Sequence, residues 1–296
     1  MKILVTGASG RLGSCVCRLL RESNLGFIAV DKFPDKQADY PIQSADLTEW
    51  ETCERLMEGV DVLVHFANFS NFNAAPPEVL YPANAAMNMN LFQAGANVGC
   101  RRIIFASSIQ VLDGQFPFMD RTKQENVLTY LPVDSDAPAV PRNAYALSKQ
   151  AAEQMLSYFA DTKGITGIAI RFPLLVDWEF MREIKKTNGI ERGNAYDLFA
   201  YLPVYSAAEA VFKAITAKLD GYRNYFVASK DNLEQSPARE IIEQEMPDLP
   251  NRKPIEEMES LVDCSKVEAD LGWEQPHSLD ESLARYEGRE SIKPYA

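Results

Sequence analysis

Two short stretches of the sequence carry side chains that could move a proton together. In FASS, Ser107 and Ser108 end an apolar run, and in YALSK the residues Tyr145 and Lys149 stand four positions apart. Residues four apart on a helix share one face, and a neighbouring ammonium stabilises a phenolate and lowers the pKa of the tyrosine. The phenol could then take a proton from a substrate hydroxyl. Each motif alone has another interpretation, since such a serine is also a turn residue and such a pair is also a surface pair.

A glycine-rich segment near the start of the chain predicts a dinucleotide site. The sequence VTGASGRLG places Gly7, Gly10 and Gly13 between an apolar run and a helical pattern. Glycines there permit a tight turn and a close approach of the backbone to a pyrophosphate, which the N-terminus of the helix stabilises. The cofactor-binding residues predicted from this loop are Gly7, Ser9, Gly10, Arg11 and Leu12.

An acidic residue at the end of the second apolar run indicates which dinucleotide is bound. Asp31 closes GFIAVD, where its carboxylate would accept hydrogen bonds from the adenosine ribose. A 2′-phosphate would be repelled there, so Asp31 favours NAD over NADP. Arg11 and Lys32 could compensate for such a phosphate, and the sequence leaves this alternative open.

The elements that must position these residues alternate through roughly the first 170 residues. Buried strands are predicted at 2–6, 26–31, 60–67, 101–107 and 165–172. Helices are predicted at 11–23, 84–98, 143–164, from about 207 to 219, and twice within 265–286. This alternation predicts an α/β fold, a Rossmann-type doubly wound parallel sheet in which residues 1–172 bind NAD. Residues 173–296 are predicted to form a smaller mixed substrate-binding lobe, packed on the first domain with chain crossings.

The composition argues against several classes of partner. The formal net charge of −12 disfavours nucleic acid or an anionic membrane as a bulk partner. Five cysteines without C-x-x-C spacing predict reduced thiols rather than a disulfide framework or a zinc site, and no metal is expected. The chain opens on a strand pattern and has no apolar run of membrane-spanning length, so we expect a cytoplasmic location.

The ordered set of motifs resembles the extended short-chain dehydrogenase/reductase family, of the NAD-dependent epimerase/dehydratase type. TGASGRLG, Asp31, HFAN at 65–68, Asn84, FASS and YALSK occur in that family's order, and LVDCSKVEADLGWEQPHSLDESLARY resembles its closing segment. The resemblance covers nearly the whole chain. It implies a bound NAD and a substrate cleft roofed by the C-terminal lobe.

The resemblance also implies roles for single residues. Tyr145 would be the acid/base, Lys149 its electrostatic partner and a cofactor ligand, and Ser108 the donor to the substrate oxygen, with Ser107 in support. Further cofactor contacts are implied for Asp46, Leu47, Ala67, Asn84, Tyr145 and Pro173.

Four other features carry expectations or open alternatives. Asn84 would either support a water relay or hold the local backbone. His65 is expected to be a packed residue rather than a catalyst, and His277 to be solvated. The segment 120–143 would be either a substrate-binding insertion or a long surface loop.

The two residues after the serine pair restrict the chemistry. Dehydratases of the family usually carry Asp-Glu there and epimerases often continue the serine run, whereas this chain has Ile109 and Gln110. The compact length looks more like the uronate dehydrogenase branch, although the Asn-His of that branch is also replaced. Gln110 could still hydrogen-bond a sugar hydroxyl. In that branch an arginine binds the sugar carboxylate, and Arg182 lies at nearly the corresponding distance along the sequence beyond Arg171. The alternative is that Arg182 is a solvated or structural arginine.

The sequence therefore favours an NAD-dependent oxidoreductase that acts on a hydroxyl of a small sugar or sugar acid. The alternative is an NAD-dependent sugar or nucleotide-sugar epimerase, and a third hypothesis is a non-catalytic dinucleotide sensor. Many relatives dimerise through a four-helix interface that includes the helix of Tyr145 and Lys149, so a homodimer is a further hypothesis.

Overall fold

Nine strands, each parallel to its neighbours, lie among the described residues of this computed structural model, which are 1–112, 128–189, 197–287 and 289. The strands are β1 (Ile3–Thr6), β2 (Phe27–Asp31), β3 (Ile42–Ser44), β4 (Val62–His65), β5 (Arg102–Ser108), β6 (Thr166–Phe172), β7 (Leu174–Val176), β8 (Tyr201–Pro203) and β9 (Tyr222–Phe226). Seven form one sheet in the order β3-β2-β1-β4-β5-β6-β9, and β7 pairs separately with β8. The strand order reverses direction between β1 and β4, so a crevice for a ligand opens at their carboxyl ends.

Nine α-helices lie within the same described ranges, six between strands and three after β9. They are α1 (Arg11–Glu22), α2 (Trp50–Met57), α3 (Pro77–Val98), α4 (Ala144–Lys163), α5 (Trp178–Thr187), α6 (Val204–Thr216), α7 (Ala238–Glu245), α8 (Ser265–Leu271) and α9 (Leu279–Arg285). The Asn143 side chain caps α4 by accepting a hydrogen bond from the Ala146 amide at 2.8 Å, and Gly164 ends it at a φ of 67°. These are the start and stop signals that predict a helix over 143–164.

Alternate residues of the central strands enter two separate hydrophobic cores. Ile3 and Val5 of β1 pack in the core that contains α1 and α6, whereas Leu4 packs in the core that contains α3 and α4. All three side chains are fully buried. Because successive side chains of a strand point to opposite faces, a sheet covered on both faces needs the continuous apolar runs seen in the sequence. The predicted Rossmann-type parallel sheet is confirmed.

Helix α3 begins earlier than predicted, at Pro77 rather than at Asn84. A proline at the first helical turn is favourable, because it fixes φ and its missing N–H has no partner to lose there. Asn84 therefore lies about two turns inside the helix, which corrects the expectation that it opens the helix. In the same way, α6 begins at Val204 rather than near Ala207.

The chain beyond residue 172 crosses back to the main sheet. Strand β9 pairs with β6, with Gly167 opposite Tyr222 and Arg171 opposite Phe226, and α6 packs against α1. The remaining elements of this region pack beside the sheet through the core shared with α1 and α6. The assignment of 173–296 to substrate binding stays a prediction.

The segment 120–143 lies within the described residues only from residue 128 onward. There Leu131 and Val133 are buried and form isolated bridges with Asn251 and Val262. The described part is thus packed against the C-terminal region, and its contribution to substrate binding stays a prediction. Within the described ranges, no helix combines the length and apolar character needed to cross a membrane.

Candidate active site

Two close backbone approaches require glycine: the β1–α1 loop lies against the end of β4 at Gly7, and the first turn of α1 lies against that loop at Gly13. A Cβ atom on Gly7, whose φ is 69°, would stand 2.8 Å from the Ala67 amide nitrogen, and one on Gly13 would stand 2.1 Å from the Gly7 carbonyl oxygen. Helix α1 begins with Gly10 as its cap, without a side-chain hydrogen bond and without an acidic residue in its first turn. The N–H groups of the first turn have no side-chain acceptor at the cap, so together with the helix dipole they can bind an anion at the crevice. A dinucleotide pyrophosphate fits this cradle.

Asp31 lies beside this loop at the end of β2. Its Oδ2 accepts a hydrogen bond from the Ser9 amide, and its Oδ1 accepts one from the Phe33 amide, both at 3.0 Å. The Ser9 hydroxyl in turn accepts a hydrogen bond from the Asp35 amide at 2.9 Å. The carboxylate is thereby held at the edge of the loop where a ribose would lie.

The two cations that could compensate for a 2′-phosphate are directed to other groups. Lys32 Nζ lies 2.7 Å from Asp46 Oδ2, and the hydrogen bonds from Lys32 and Thr48 lower the pKa of Asp46 to about 2. Arg11 Nη1 donates to the Leu175 carbonyl oxygen at 3.0 Å. This arrangement supports the preference for NAD that Asp31 indicates.

The other predicted cofactor residues line the same edge of the sheet or lie just behind it. Leu12 and Leu47 are buried, and the Leu47 carbonyl oxygen accepts a hydrogen bond from Asn90 at 3.2 Å. Ala67 directly follows Phe66 at the end of β4, and Pro173, which is buried, joins β6 to β7. Their contact with a cofactor stays a prediction.

Tyr145 and Lys149 lie one turn apart near the start of α4, and both are buried, with exposed fractions of 7% and 3%. Lys149 Nζ donates to the Ala106 carbonyl oxygen of β5 at 2.8 Å and lies 5.5 Å from the centroid of the Tyr145 ring. Burial lowers the pKa of Lys149 to about 7. The ammonium is thus held between α4 and the carboxyl end of β5.

The pKa of Tyr145 differs from the sequence-based expectation. Burial raises it to about 12, and a hydrogen bond with the Ser108 side chain only partly offsets this effect. The Lys149 ammonium was expected to lower the pKa of Tyr145. In the protein without cofactor or substrate the pKa is raised instead, because desolvation disfavours the phenolate more strongly. The structure nevertheless brings Ser108, Tyr145 and Lys149 together.

The two serines at the end of β5 have different partners. The Ser108 hydroxyl accepts a hydrogen bond from the Gln110 amide at 3.2 Å. Ser108 thereby caps a short 3-10 helix over Ile109–Val111. The Gln110 side chain accepts a hydrogen bond from Asn143 Nδ2 at 3.3 Å. Ser107 instead donates to Glu153 Oε1 at 2.6 Å. Ser108 therefore faces Tyr145, whereas Ser107 anchors the strand to α4.

Glu153 was missed by the sequence analysis, although it continues the four-residue spacing of Tyr145 and Lys149. It forms a buried ion pair with Arg171 of β6, in which Arg171 Nε and Nη2 lie 2.9 and 2.7 Å from the two carboxylate oxygens. The exposed fractions of the two side chains are 7% and 4%. This pair ties the helix of the candidate acid/base to the sheet, and it gives Arg171 a structural role.

Asn84 uses both of its polar groups within the protein. Its Oδ1 accepts a hydrogen bond from the Phe69 amide at 2.8 Å, and its Nδ2 donates to the Ser148 hydroxyl at 2.9 Å. Ser148 then donates to the Tyr145 carbonyl oxygen at 2.8 Å. Of the two alternatives, the geometry supports local backbone support, and contact with a cofactor stays a prediction.

The remaining candidates lie as follows. His65 is fully buried and burial lowers its pKa to about 3, which confirms that it is a packed residue. Arg182 is exposed on α5, and its Cζ atom lies 4.9 Å from the centroid of the Trp178 ring. This arrangement favours the alternative that Arg182 is a solvated arginine. Its role as a carboxylate ligand stays a prediction.

A doubly wound parallel sheet with this glycine loop at its switch point defines a Rossmann-type dinucleotide-binding protein, and the Tyr-Lys pair lies at the carboxyl edge of the same sheet. The chain belongs to the NAD-dependent epimerase/dehydratase family, whose pattern matches residues 3–176. This membership confirms the family and the cofactor predicted from the ordered motifs.

Individual relatives are similar over part of their length. Uronate dehydrogenase of Pseudomonas syringae pv. tomato is 31% identical over 173 residues, which cover 57% of this chain and 58% of the relative. UDP-glucose 4-epimerase of Azospirillum brasilense is 27% identical over 180 residues, which cover 58% of this chain and 48% of the relative. The similarity thus spans little more than half the length of the first relative and less than half of the second.

A solved structure is similar over nearly the whole chain. It is a short-chain dehydrogenase/reductase superfamily protein from Agrobacterium tumefaciens with bound NAD, and its TM-score is 0.69 at 17% identity. The superposition covers 96% of this chain and 95% of that one. At this identity the comparison shows the fold, which includes the region after residue 176.

The buried ion pair predicts the effect of Glu153→Gln on stability. The substitution leaves the Arg171 guanidinium buried without its counter-charge, so we expect the free energy of unfolding to fall by roughly 3–5 kcal/mol, measured by urea denaturation. Asp280→Asn is the control, because it breaks an ion pair with Lys185 that is exposed, and we expect it to cost less than about 1 kcal/mol. Similar small losses in both variants would contradict the role of Glu153.

Proposed function

We propose that the protein is an NAD-dependent oxidoreductase that oxidises a hydroxyl group of a small sugar or sugar acid. The observation that carries the proposal is that Ser108, Tyr145 and Lys149 lie together at the carboxyl edge of the sheet, the edge that also carries the glycine loop. Relatives in the same family include a uronate dehydrogenase. A sugar-type substrate also agrees with the acidic chain, which disfavours nucleic acid.

The glycine loop and Asp31 would hold the cofactor at one end of the crevice. The N–H groups at the start of α1 would bind the pyrophosphate, the carboxylate of Asp31 would bind the adenosine ribose, and Asp46 and Leu47 would lie beside the adenine. Ala67, Asn84 and Pro173 would make further contacts with the cofactor. When bound, NAD supplies a hydride acceptor.

The proposed oxidation gives separate roles to Ser108, Tyr145 and Lys149. Ser108 holds the substrate hydroxyl oxygen, and Tyr145 takes the proton from that oxygen as the hydrogen on the carbon leaves as hydride. The Lys149 ammonium stabilises the phenolate that Tyr145 must form. The product is a carbonyl compound, with the proton on Tyr145 and the hydride on the cofactor. Gln110 is proposed to hydrogen-bond a second hydroxyl of the sugar.

The family also contains epimerases, in which the same oxidation is followed by reduction on the opposite face. The epimerase relative supports this second function, whereas Ile109, which ends the serine run, disfavours it. The two functions differ in one observable, because only an oxidoreductase releases NADH at every turnover.

Tyr145→Phe tests the proposed chemistry directly. The wild type should form NADH with one member of a panel of free uronic acids, neutral sugars and nucleotide sugars, and the variant should lose at least about 100-fold in kcat while it still binds NAD by calorimetry. Tyr158→Phe is the control, because Tyr158 is exposed on the same helix and its loss should leave kcat unchanged. Substrate turnover without net NADH would favour the epimerase, and a fully active Tyr145→Phe would refute the assignment of the base.

Asp31→Ser tests the choice between NAD and NADP. We expect the wild type to bind NAD at least about tenfold more tightly than NADP in calorimetry, because the carboxylate accepts hydrogen bonds from a ribose and repels a phosphate. The variant should lose most of this ratio. The control is Asp39→Ser, which removes a surface carboxylate that pairs with Arg21. Equal affinities of the wild type for the two dinucleotides would overturn the role of Asp31.

We also propose a homodimer through α3 and α4 and a cytoplasmic location. The two helices pack on each other, and large apolar side chains stay exposed on them, among them Met89 of α3 and Leu147 and Tyr158 of α4. Leu147 and Tyr158 are eleven residues apart and so share one helix face. The five cysteines are buried free thiols, which agrees with a reducing compartment.

The dimer predicts that Tyr158→Glu yields a monomer. A charge on an apolar interface cannot be desolvated without a partner, so the molar mass from light scattering after size exclusion should fall by half. Phe33→Glu carries the same change to an exposed aromatic residue outside these helices and should leave the mass unaltered. A wild type that elutes as a monomer would rule out the dimer.

A further inference from the structure

Lys149 has a second hydrogen-bond acceptor that does not belong to the predicted site. The Oδ1 atom of Asn68 lies 3.2 Å from Lys149 Nζ. Asn68 stands in the loop just after β4, whereas the first acceptor, the Ala106 carbonyl oxygen, belongs to β5. Three separate elements thus meet at one buried ammonium.

The amide of Asn68 has a fixed orientation. Its Nδ2 donates to the Ala67 carbonyl oxygen at 2.8 Å and to Asn88 Oδ1 at 3.0 Å. Asn88 Oδ1 also lies 2.9 Å from His65 Nε2. Burial keeps His65 neutral, so its ring carries one N–H, which this contact with an amide oxygen places on Nε2. The other ring nitrogen then accepts from the Thr6 hydroxyl, 2.6 Å away.

This chain of donors leaves Asn68 Oδ1 directed at Lys149. Rotation of the Asn68 amide by 180° would place Nδ2 against the ammonium and Oδ1 against the oxygen of Asn88. Both contacts would then be repulsive, the first between two donors and the second between two acceptors. The orientation that presents an oxygen to Lys149 is therefore the favourable one on both sides.

We propose that Asn68 is a positioning residue that holds the Lys149 ammonium beside the Tyr145 phenol. Asn68 acts through Lys149 and is not assigned a contact with the substrate. Its effect on catalysis rests on the proposed function, whereas its effect on Lys149 does not.

The electrostatic surroundings make such an acceptor important. Titratable groups near Lys149 include Tyr145 on α4 and His65 on β4, and Glu153 follows Lys149 by one turn of α4. Both carboxylate oxygens of Glu153 are bound by Arg171, and His65 is neutral. Burial lowers the pKa of Lys149 to about 7, so its charge at neutral pH depends on the oxygen atoms that face Nζ.

The first test measures the pKa of Lys149 without any substrate. Protein labelled with ¹³C-lysine is titrated by NMR, and the resonance of Lys149 is assigned by its loss in Lys149→Met. We expect Asn68→Ala to lower this pKa by about one unit, because an acceptor of the ammonium is lost, and Asn68→Asp to raise it by a similar amount. Asn97→Ala, an exposed asparagine on α3, should leave it unchanged.

The second test is the pH dependence of kcat in the oxidation direction. With less ammonium beside it, Tyr145 loses its proton at higher pH, so the acidic limb of Asn68→Ala should move upward by about one unit. Asn68→Asp keeps an oxygen at this position, and its limb should stay at or below that of the wild type. Asn68→Ser is measured as well, and if Asn68→Ala does not fold, the Ser and Asp variants decide the outcome.

Two results would overturn the proposal. An unchanged pKa of Lys149 in Asn68→Ala would show that Oδ1 does not act on the ammonium. Equal losses of activity in the Ala and Asp variants with unshifted pH profiles would show that only the Nδ2 contacts matter. A protein without sugar oxidation would still give the NMR result, so failure of the proposed function and failure of this inference are distinguishable.

Discussion

The ion pair between Glu153 and Arg171 fixes where the rest of the candidate site can lie. Two buried charges are costly unless each has its full set of hydrogen-bond partners. Here the Glu153 carboxylate binds the guanidinium through both oxygens and also accepts a hydrogen bond from the Ser107 hydroxyl. Arg171 belongs to β6 and Ser107 to β5, so the pair sets the position of α4 along two strands at once. Tyr145 lies two turns and Lys149 one turn before Glu153, and both are positioned by the same contacts.

The other part of the candidate site, the glycine loop that would hold the cofactor, depends on a steric constraint rather than on charge. Gly7 lets the β1–α1 loop lie against the end of β4, and Gly13 lets α1 lie against that loop, with no room for a Cβ atom at either position. The loop after β4 then turns toward α4, where Asn68 reaches Lys149. The cofactor cradle and the Tyr-Lys pair therefore share a boundary at β4, although they are separated by more than 130 residues in sequence.

Local patterns predict the parts of this site that depend on local geometry. The four-residue spacing of Tyr145 and Lys149 and the glycines of the first loop have a meaning that any helix or turn would give them. Asn68 and Glu153 were not predicted, because their importance comes from contacts between elements far apart in the chain. The start of α3 at Pro77 was missed for another reason, since Pro77 and Pro82 lie in its first two turns and proline is unfavourable inside a helix.

The pKa of Tyr145 also lay beyond sequence reasoning, because it depends on burial. Desolvation raises the pKa of this phenol and lowers that of Lys149, and both shifts favour the neutral forms. A phenolate and an ammonium that form together relieve each other's penalty, so the two titrations are coupled. Oxygen atoms that keep the proton on Lys149, such as those of Ala106 and Asn68, therefore favour the loss of a proton from Tyr145.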